Sequence, residues 1–271
     1  MSSLSPVTSR RNPLVARFRA ALAGEDRDSF VVEGIRALEE GAVAPERLEL
    51  VVASTRAGHT ERGRALLERL IAAGVEVREA TEEVLDACGG TRASQGIAAL
   101  ARRREVPFRD LVASAPAGAP FVVAAVGVGD PGNVGTCLRT ADAAGATGFA
   151  TARDTVSPWN DKAVRATAGS IFRLPVASGV ELEELRDGAR AAAARLVASV
   201  SRDGVPYGQA DLRPPIVLLL GGEAAGVPPP LLEAADLRVT IPLRAGVESL
   251  NVAAAAAVLC FEISRQAGLA R

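Results

Sequence analysis

At 271 residues the chain is long enough for one large domain or two ordinary ones, and 48% hydrophobic with 23% charged residues allow a full core, which excludes a disordered or collagen-like chain. Charge nearly cancels, at 31 Lys+Arg against 32 Asp+Glu, and Lys162 is the single lysine; so one-sided a bias is compositional, and arginine number alone does not argue for a polyanionic partner. Cys88, Cys137 and Cys260 are few and far apart and His59 is the lone histidine, so neither a disulfide framework nor a metal site is expected. From the N-terminus, no apolar signal-peptide run is present, and the 24 residues before Glu25 hold Arg10, Arg11, Arg17 and Arg19 with no acid. Residues 14–22 carry apolar side chains at helical spacing. A strand at 30–32, a helix at 34–41, a strand at 48–53, a helix at 62–73, a strand at 75–77, a helix at 81–87 and a strand at 96–100 follow. They make a small α/β unit, assigned to residues 1–106. His59 lies in a polar stretch and reads as a surface residue.

A second basic run, Arg102-Arg103-Arg104, precedes residues 107–119, whose Pro, Ala and Gly read as a linker. The longest charge-free stretch, 111–129, is broken by Pro116, Gly118, Pro120 and Gly127 and is a poor membrane span, so a soluble cytoplasmic protein is expected. Residues 120–271 form the second domain. It opens with the buried-strand run Phe121-Val-Val-Ala-Ala-Val126, then a helix at 134–144, a strand at 148–151, helices at 161–168 and 181–194, and strands at 196–200 and 215–220. A short strand at 238–242 and a helix at 249–266 end the chain. Apolar strands alternating with helices predict an α/β fold whose parallel sheet is covered on both faces, with ligands at the carboxyl ends of strands.

Three segments carry candidate chemistry. In the first, Gly127, Gly129 and Gly132 match G-x-G-x-x-G after a strand, the dinucleotide fingerprint. That fingerprint needs the helix to start inside the motif; here Pro131 and Gly132 are expected to keep the chain in a turn, with Asn133 as the helix cap. Thr136 and Arg139 share a helix face, so Asn133 and Arg139 can project toward one strand end; the plain alternative is a capped helix with a solvated arginine. In the second segment, Gly221-Gly222-Glu223 follows the strongest strand. A carboxylate there can receive a proton, bind a ribose hydroxyl or face a helix N-terminus. In the third, Ser249 is expected to cap an Ala-rich helix, and Asn251, a poor helix former, has no such structural reason to be in its first turn.

Together the segments resemble the SpoU (TrmH-like) family of RNA ribose 2′-O-methyltransferases of the SPOUT superfamily. The likeness rests on N-x-G-x-x-x-R-T-A from Asn133, L-G-x-E-x-x-G from Leu220, and I-P at Ile241 followed by S-L-N-V at Ser249. It extends to Lys162-Ala-Val-Arg165-Ala-Thr-Ala-Gly169. In the N-terminal half, Thr8-Ser-Arg-Arg-Asn-Pro-Leu-Val, Phe30-Val-Val-Glu-Gly34 and Gln95-Gly96-Ile-Ala resemble the L30e-like substrate-binding domain of rRNA-acting members. The resemblance implies a SPOUT domain with a deep trefoil knot, S-adenosylmethionine held by Gly221, Gly222, Gly226, Ile241 and Leu250, and no metal. It further implies a homodimer with Asn133, Arg139, Glu223, Ser249 and Asn251 as catalytic residues. Ala253 departs from the serine common in relatives. Arg11, Arg102, Arg103, Arg104 and Arg165 are the candidate RNA contacts; with one Trp and one Tyr, base stacking is not the main recognition mode. The expected substrate is 23S rRNA, of housekeeping or antibiotic-resistance type. A tRNA methyltransferase, an NAD oxidoreductase using Gly127–Gly132 and a catalytically idle RNA-binding relative are the alternatives.

Overall fold

An asparagine before a proline sets the first helix. Asn12 Oδ1 accepts the Leu14 amide at 3.0 Å and caps α1 (Pro13–Ala23), Pro13 supplies the first helical φ, and Gly24 closes the end at φ 74°. The structure, a computed structural model, describes residues 6–90, 95–113 and 119–269. After α1 come β1 (Ser29–Glu33), α2 (Ile35–Gly41), β2 (Leu48–Ala53), α3 (Glu61–Ala72), β3 (Val77–Glu79), α4 (Glu82–Cys88) and β4 (Ile97–Arg102). The strands form one sheet in the order β1-β4-β2-β3, antiparallel on both sides of β4 and parallel between β2 and β3. Strand β3 starts two residues later than expected, because the Val75 amide still bonds the Leu70 carbonyl and the chain leaves α3 through Gly74 at φ 78°. Val15 and Phe18 of α1 pack with Val31, Leu50, Val52, Leu85 and Leu100 in a dry core.

Strand alternation sends Phe30 the other way. Its ring meets Trp159 and Phe172, with centroids 5.1 and 5.7 Å away. Buried Arg47 donates to the Phe172 carbonyl at 3.0 Å and to the Arg102 carbonyl at 3.1 Å. By these contacts residues 159–172 belong to a first unit with the chain up to Arg103, whereas they were expected in the second domain.

The second unit takes residues 104–158 and 173 onward. It begins with α5 (Phe108–Ala113), β5 (Phe121–Val126), α6 (Pro131–Ala143) and β6 (Gly148–Ala152). Helix α7 (Asp161–Thr167) belongs to the first unit; then come β7 (Val176–Val180), α8 (Leu182–Ala191), β8 (Arg195–Val200), β9 (Val205–Pro206), β10 (Ile216–Gly221), α9 (Pro229–Ala234), β11 (Leu237–Thr240) and α10 (Val252–Gln266). The expected linker 107–119 begins instead with α5, whose Phe108, Leu111 and Val112 are buried in the second core; residues 114–118 lie outside the described residues.

The seven strands of this unit run in the order β7-β6-β5-β10-β8-β11-β9, every neighbouring pair parallel. This is the α/β architecture expected. Helices α6 and α10 pack against each other; α5, α8 and α9 form a second group with the core around Leu185 and Leu231. From β5 the chain proceeds one way through β6 and β7, while β10, β8 and β11 lie the other way. The order therefore reverses between β5 and β10, and parallel sheets open a crevice at such a point.

Candidate active site

Two loops leave the sheet at that reversal. The Gly222 amide donates to the Val126 carbonyl at 2.8 Å, and a Cβ on Gly222 would lie 2.0 Å from the Gly127 oxygen. A Cβ on Gly221 would lie 2.2 Å from the Gly226 carbonyl carbon. Close backbone approach therefore demands glycine at both positions.

This packing presents Glu223 to two asparagines. Its Oε1 accepts Asn133 Nδ2 at 2.8 Å and Asn251 Nδ2 at 3.0 Å, and Asn251 Nδ2 also lies 3.1 Å from Asn133 Oδ1. Glu223 Oε2 has no partner among the described residues. One carboxylate oxygen is thus immobilised and the other is open, on an exposed side chain.

The helix caps differ from expectation. Asp130, not Asn133, caps α6, accepting the Asn133 amide on Oδ1 at 2.9 Å, with Pro131 in the first turn. Asp before Pro is the sequence signal that identifies it. The helix does start inside the Gly127–Gly132 motif, so the expected reason for discounting a dinucleotide fails; the sound reason is the Asp130 carboxylate, which sits where a pyrophosphate would bind. Asn251, not Ser249, caps α10, its Oδ1 accepting the Ala253 amide at 2.9 Å and the Ala254 amide at 3.4 Å. Asn251 therefore does have a structural reason, and its amide nitrogen remains for Glu223.

Beside this cluster lies a cavity of about 370 Å³, within the usual size range of small-molecule sites. Gly221, Gly222, Glu223, Gly226, Ile241, Ser249 and Leu250 line it, which unites every expected cofactor residue with two of the expected catalytic ones. Residues 241–251 form neither helix nor strand, so their amides and carbonyls are not committed to a ladder. Apolar walls, a glycine-lined floor and one nearby carboxylate suit a ligand that has apolar parts, hydrogen-bonding groups and a positive centre. Sequence reasoning missed Ser199 and Ser201 of this wall, because only the sheet order sets β8 beside β10.

The expected arginines separate into two kinds. Arg139, exposed on α6, has no hydrogen-bond or ion-pair partner among the described residues and does not line the cavity. Arg11 and Arg104 are likewise exposed and their side chains have no such partner, and Arg102 is exposed beside Glu49 at 3.3 Å. Arg103 is tied down instead, donating to the Ser29 and Asp26 carbonyls at 2.9 Å each. Arg165, in the first unit, pairs with Asp161 at 2.8 Å and approaches the Glu33 side chain, itself 5% exposed, at 3.7 Å, so it clamps α7 to β1. His59 also belongs to the first unit. Burial pushes the Cys88 and Cys137 thiols up to about 12 and raises Cys260 further, which leaves no activated thiol nucleophile among them. No group of side chains suited to a metal ion occurs among the described residues.

Residues 120–261 match the SpoU rRNA Methylase family, and residues 31–107 match the family of RNA 2′-O ribose methyltransferase substrate-binding domains. The 23S rRNA (guanosine(2553)-2′-O)-methyltransferase RlmP of Bacillus subtilis is 29% identical over 265 residues, covering 96% of this chain and 99% of its own. The 23S rRNA (guanosine-2′-O-)-methyltransferase RlmB of Xylella fastidiosa is 36% identical over 208 residues, 71% of this chain and 79% of its own. A crystal structure of an AdoMet-bound rRNA methyltransferase from Sinorhizobium meliloti superposes with a TM-score of 0.82 at 32% identity, covering 96% of this chain and 97% of that one.

Proposed function

This chain belongs to the SpoU rRNA Methylase family, and on that premise we propose that it transfers a methyl group from S-adenosylmethionine to a ribose 2′-hydroxyl of RNA, with 23S rRNA as substrate. The observation that carries this reading is the meeting of Asn133, Glu223 and Asn251 at the edge of the glycine-lined cavity.

S-adenosylmethionine supplies, when bound, a methyl group activated on a sulfonium. Gly221, Gly222, Gly226, Ile241 and Leu250 are the residues that hold it, largely through backbone groups. Asn133 and Asn251 fix Glu223 Oε1, and Oε2 is left to accept the hydrogen bond of the 2′-hydroxyl. As that oxygen gains its bond to carbon, its proton becomes strongly acidic. A carboxylate then suffices to take the proton and release it to water. Arg139 holds the adjacent phosphate; a guanidinium stays protonated at working pH and is not the base. Ser249 orients the ribose, and holding the two reactants in line supplies much of the rate.

Arg11, Arg102 and Arg104 are the RNA phosphate contacts in this reading, while Arg103 and Arg165 serve the fold. For the homodimer of this reading, the exposed apolar side chains Val247, Leu250 and Phe261 are the candidate contacts, at 50%, 38% and 49% exposure. Phe261→Asp is expected to give a monomer in sedimentation with methyl transfer lost. A ribosomal substrate supports a cytoplasmic location. No helix among the described residues is long and apolar enough to cross a membrane. The 23S substrate is preferred to tRNA because both named relatives modify 23S rRNA.

Mapping ribose methylation on rRNA and tRNA from a deletion strain tests the reading. Loss of one 23S rRNA methyl group is expected, and loss confined to tRNA overturns the substrate. For the arginine, Arg139→Lys is expected to keep near-normal turnover with a raised KM and an unchanged pH–rate profile.

A further inference from the structure

Strand β5 outlasts its neighbour. Strand β6 pairs with it only as far as Ala125 opposite Thr151, and β6 ends at Ala152, so the peptide groups at the end of β5 lose their ladder partner on that side. The loop after β6 replaces it with a side chain. Thr155 Oγ1 accepts the Gly127 amide at 3.0 Å and donates to the Ala125 carbonyl at 3.0 Å, so one hydroxyl satisfies both orphaned groups. The next residue continues the stitch, the Val156 amide donating to the Val128 carbonyl at 3.0 Å.

What this stitch holds is the turn on which the catalytic cluster rests. Gly127 has φ 68°, and its carbonyl oxygen fills the place a Gly222 side chain would take. Gly222 directly precedes Glu223. Three residues past Gly127, Asp130 caps the helix that carries Asn133. The position of the Gly127 peptide therefore sets both ends of the Asn133–Glu223 hydrogen bond. Thr155 is absent from the cavity wall and from the cluster itself.

We propose that Thr155 is a positioning residue for methyl transfer: its hydroxyl locks the Gly127 turn and so sets the register of Glu223 against Asn133 and Asn251. This rests on the reading of those three residues as the catalytic cluster. The test compares Thr155→Val, which keeps the shape and loses the hydroxyl, with Thr155→Ser, which keeps the hydroxyl. Should valine not fold, Thr155→Cys takes its place, a thiol being a weak donor and acceptor. The first readout is the side-chain amide NMR signals of Asn133 and Asn251, assigned from Asn133→Asp and Asn251→Asp spectra. These are expected to move in Thr155→Val and return in Thr155→Ser. The second is turnover at saturating S-adenosylmethionine and rRNA, expected to fall about ten- to a hundredfold in Thr155→Val with the S-adenosylmethionine Kd much less affected, and to recover in Thr155→Ser. Unmoved amide signals overturn the proposal, as does unchanged turnover, even with a lowered Tm. Wild-type protein that transfers no methyl to any RNA instead overturns the assigned activity, and the NMR comparison still decides the role of Thr155.

Discussion

Asn251 spends its two polar atoms on separate tasks, Oδ1 on the cap of α10 and Nδ2 on Glu223. Alanine removes both and aspartate only the second. Asn251→Ala is expected to lose about 1 kcal/mol of stability as well as methyl transfer, whereas Asn251→Asp keeps the cap, loses transfer and sets a second carboxylate against Glu223, a repulsion that lowers Tm at neutral pH and fades in acid. Thermal unfolding alongside methyl incorporation reads the difference. The residue stood out in the sequence as unexplained, but its cap was misplaced onto Ser249, as the α6 cap was onto Asn133. Serine and asparagine are both good cap types, and the backbone path decides which is used. The thiols make a second expectation: with Cys88 and Cys137 pushed up to about 12 by burial and Cys260 raised as well, native protein at neutral pH resists alkylation until it unfolds. Glu262 makes a third. Hydrogen bonds from Arg265, then Gln266, lower it to about 2, so the stabilisation it contributes is present above the ordinary glutamate range and is lost as pH falls toward 2. Glu262→Gln is expected to lower Tm slightly at neutral pH and to close that gap in acid, measured by unfolding across pH.

Elements were legible wherever one local signal dominated. Residues 121–126 and 216–220 are continuous apolar runs and became the adjacent central strands β5 and β10. Strand β7 was missed because Ser178 and Gly179 interrupt it at the sheet edge. Helix α9 was missed because three prolines suggest a loop. Pro228 is its cap and Pro229 and Pro230 open its first turn, where no amide is needed. Gly221 and Gly222 matter by contact rather than by φ. Gly221→Ala and Gly222→Ala force a Cβ against backbone and are expected to abolish S-adenosylmethionine binding in calorimetry. Gly127→Ala meets no neighbour within 4 Å and strains only its φ of 68°, so a smaller loss is expected.

Across the whole molecule, the division into two units does not follow chain order. Residues 159–172 lie inside the SpoU-matched stretch, yet their contacts are with the first unit. Trp159 and Phe172 complete the apolar cover of Phe30, Arg47 binds the Phe172 carbonyl, and Arg165 faces Glu33. Phe172→Ala is expected to cost about 3 kcal/mol in denaturant unfolding, since it empties a packed aromatic site. The alternation of strands and helices, the two-part organisation and the three motifs could be read directly from the chain, because hydrophobic period, cap chemistry and glycine spacing act over a few residues. Which amide meets the Glu223 carboxylate, which arginines are tied to carbonyls or carboxylates and where residues 159–172 pack could not. The Asn133–Glu223, Arg47–Phe172 and Arg165–Glu33 contacts join positions 90, 125 and 132 apart, and strand order and core packing bring them together through the summed interactions of the whole chain.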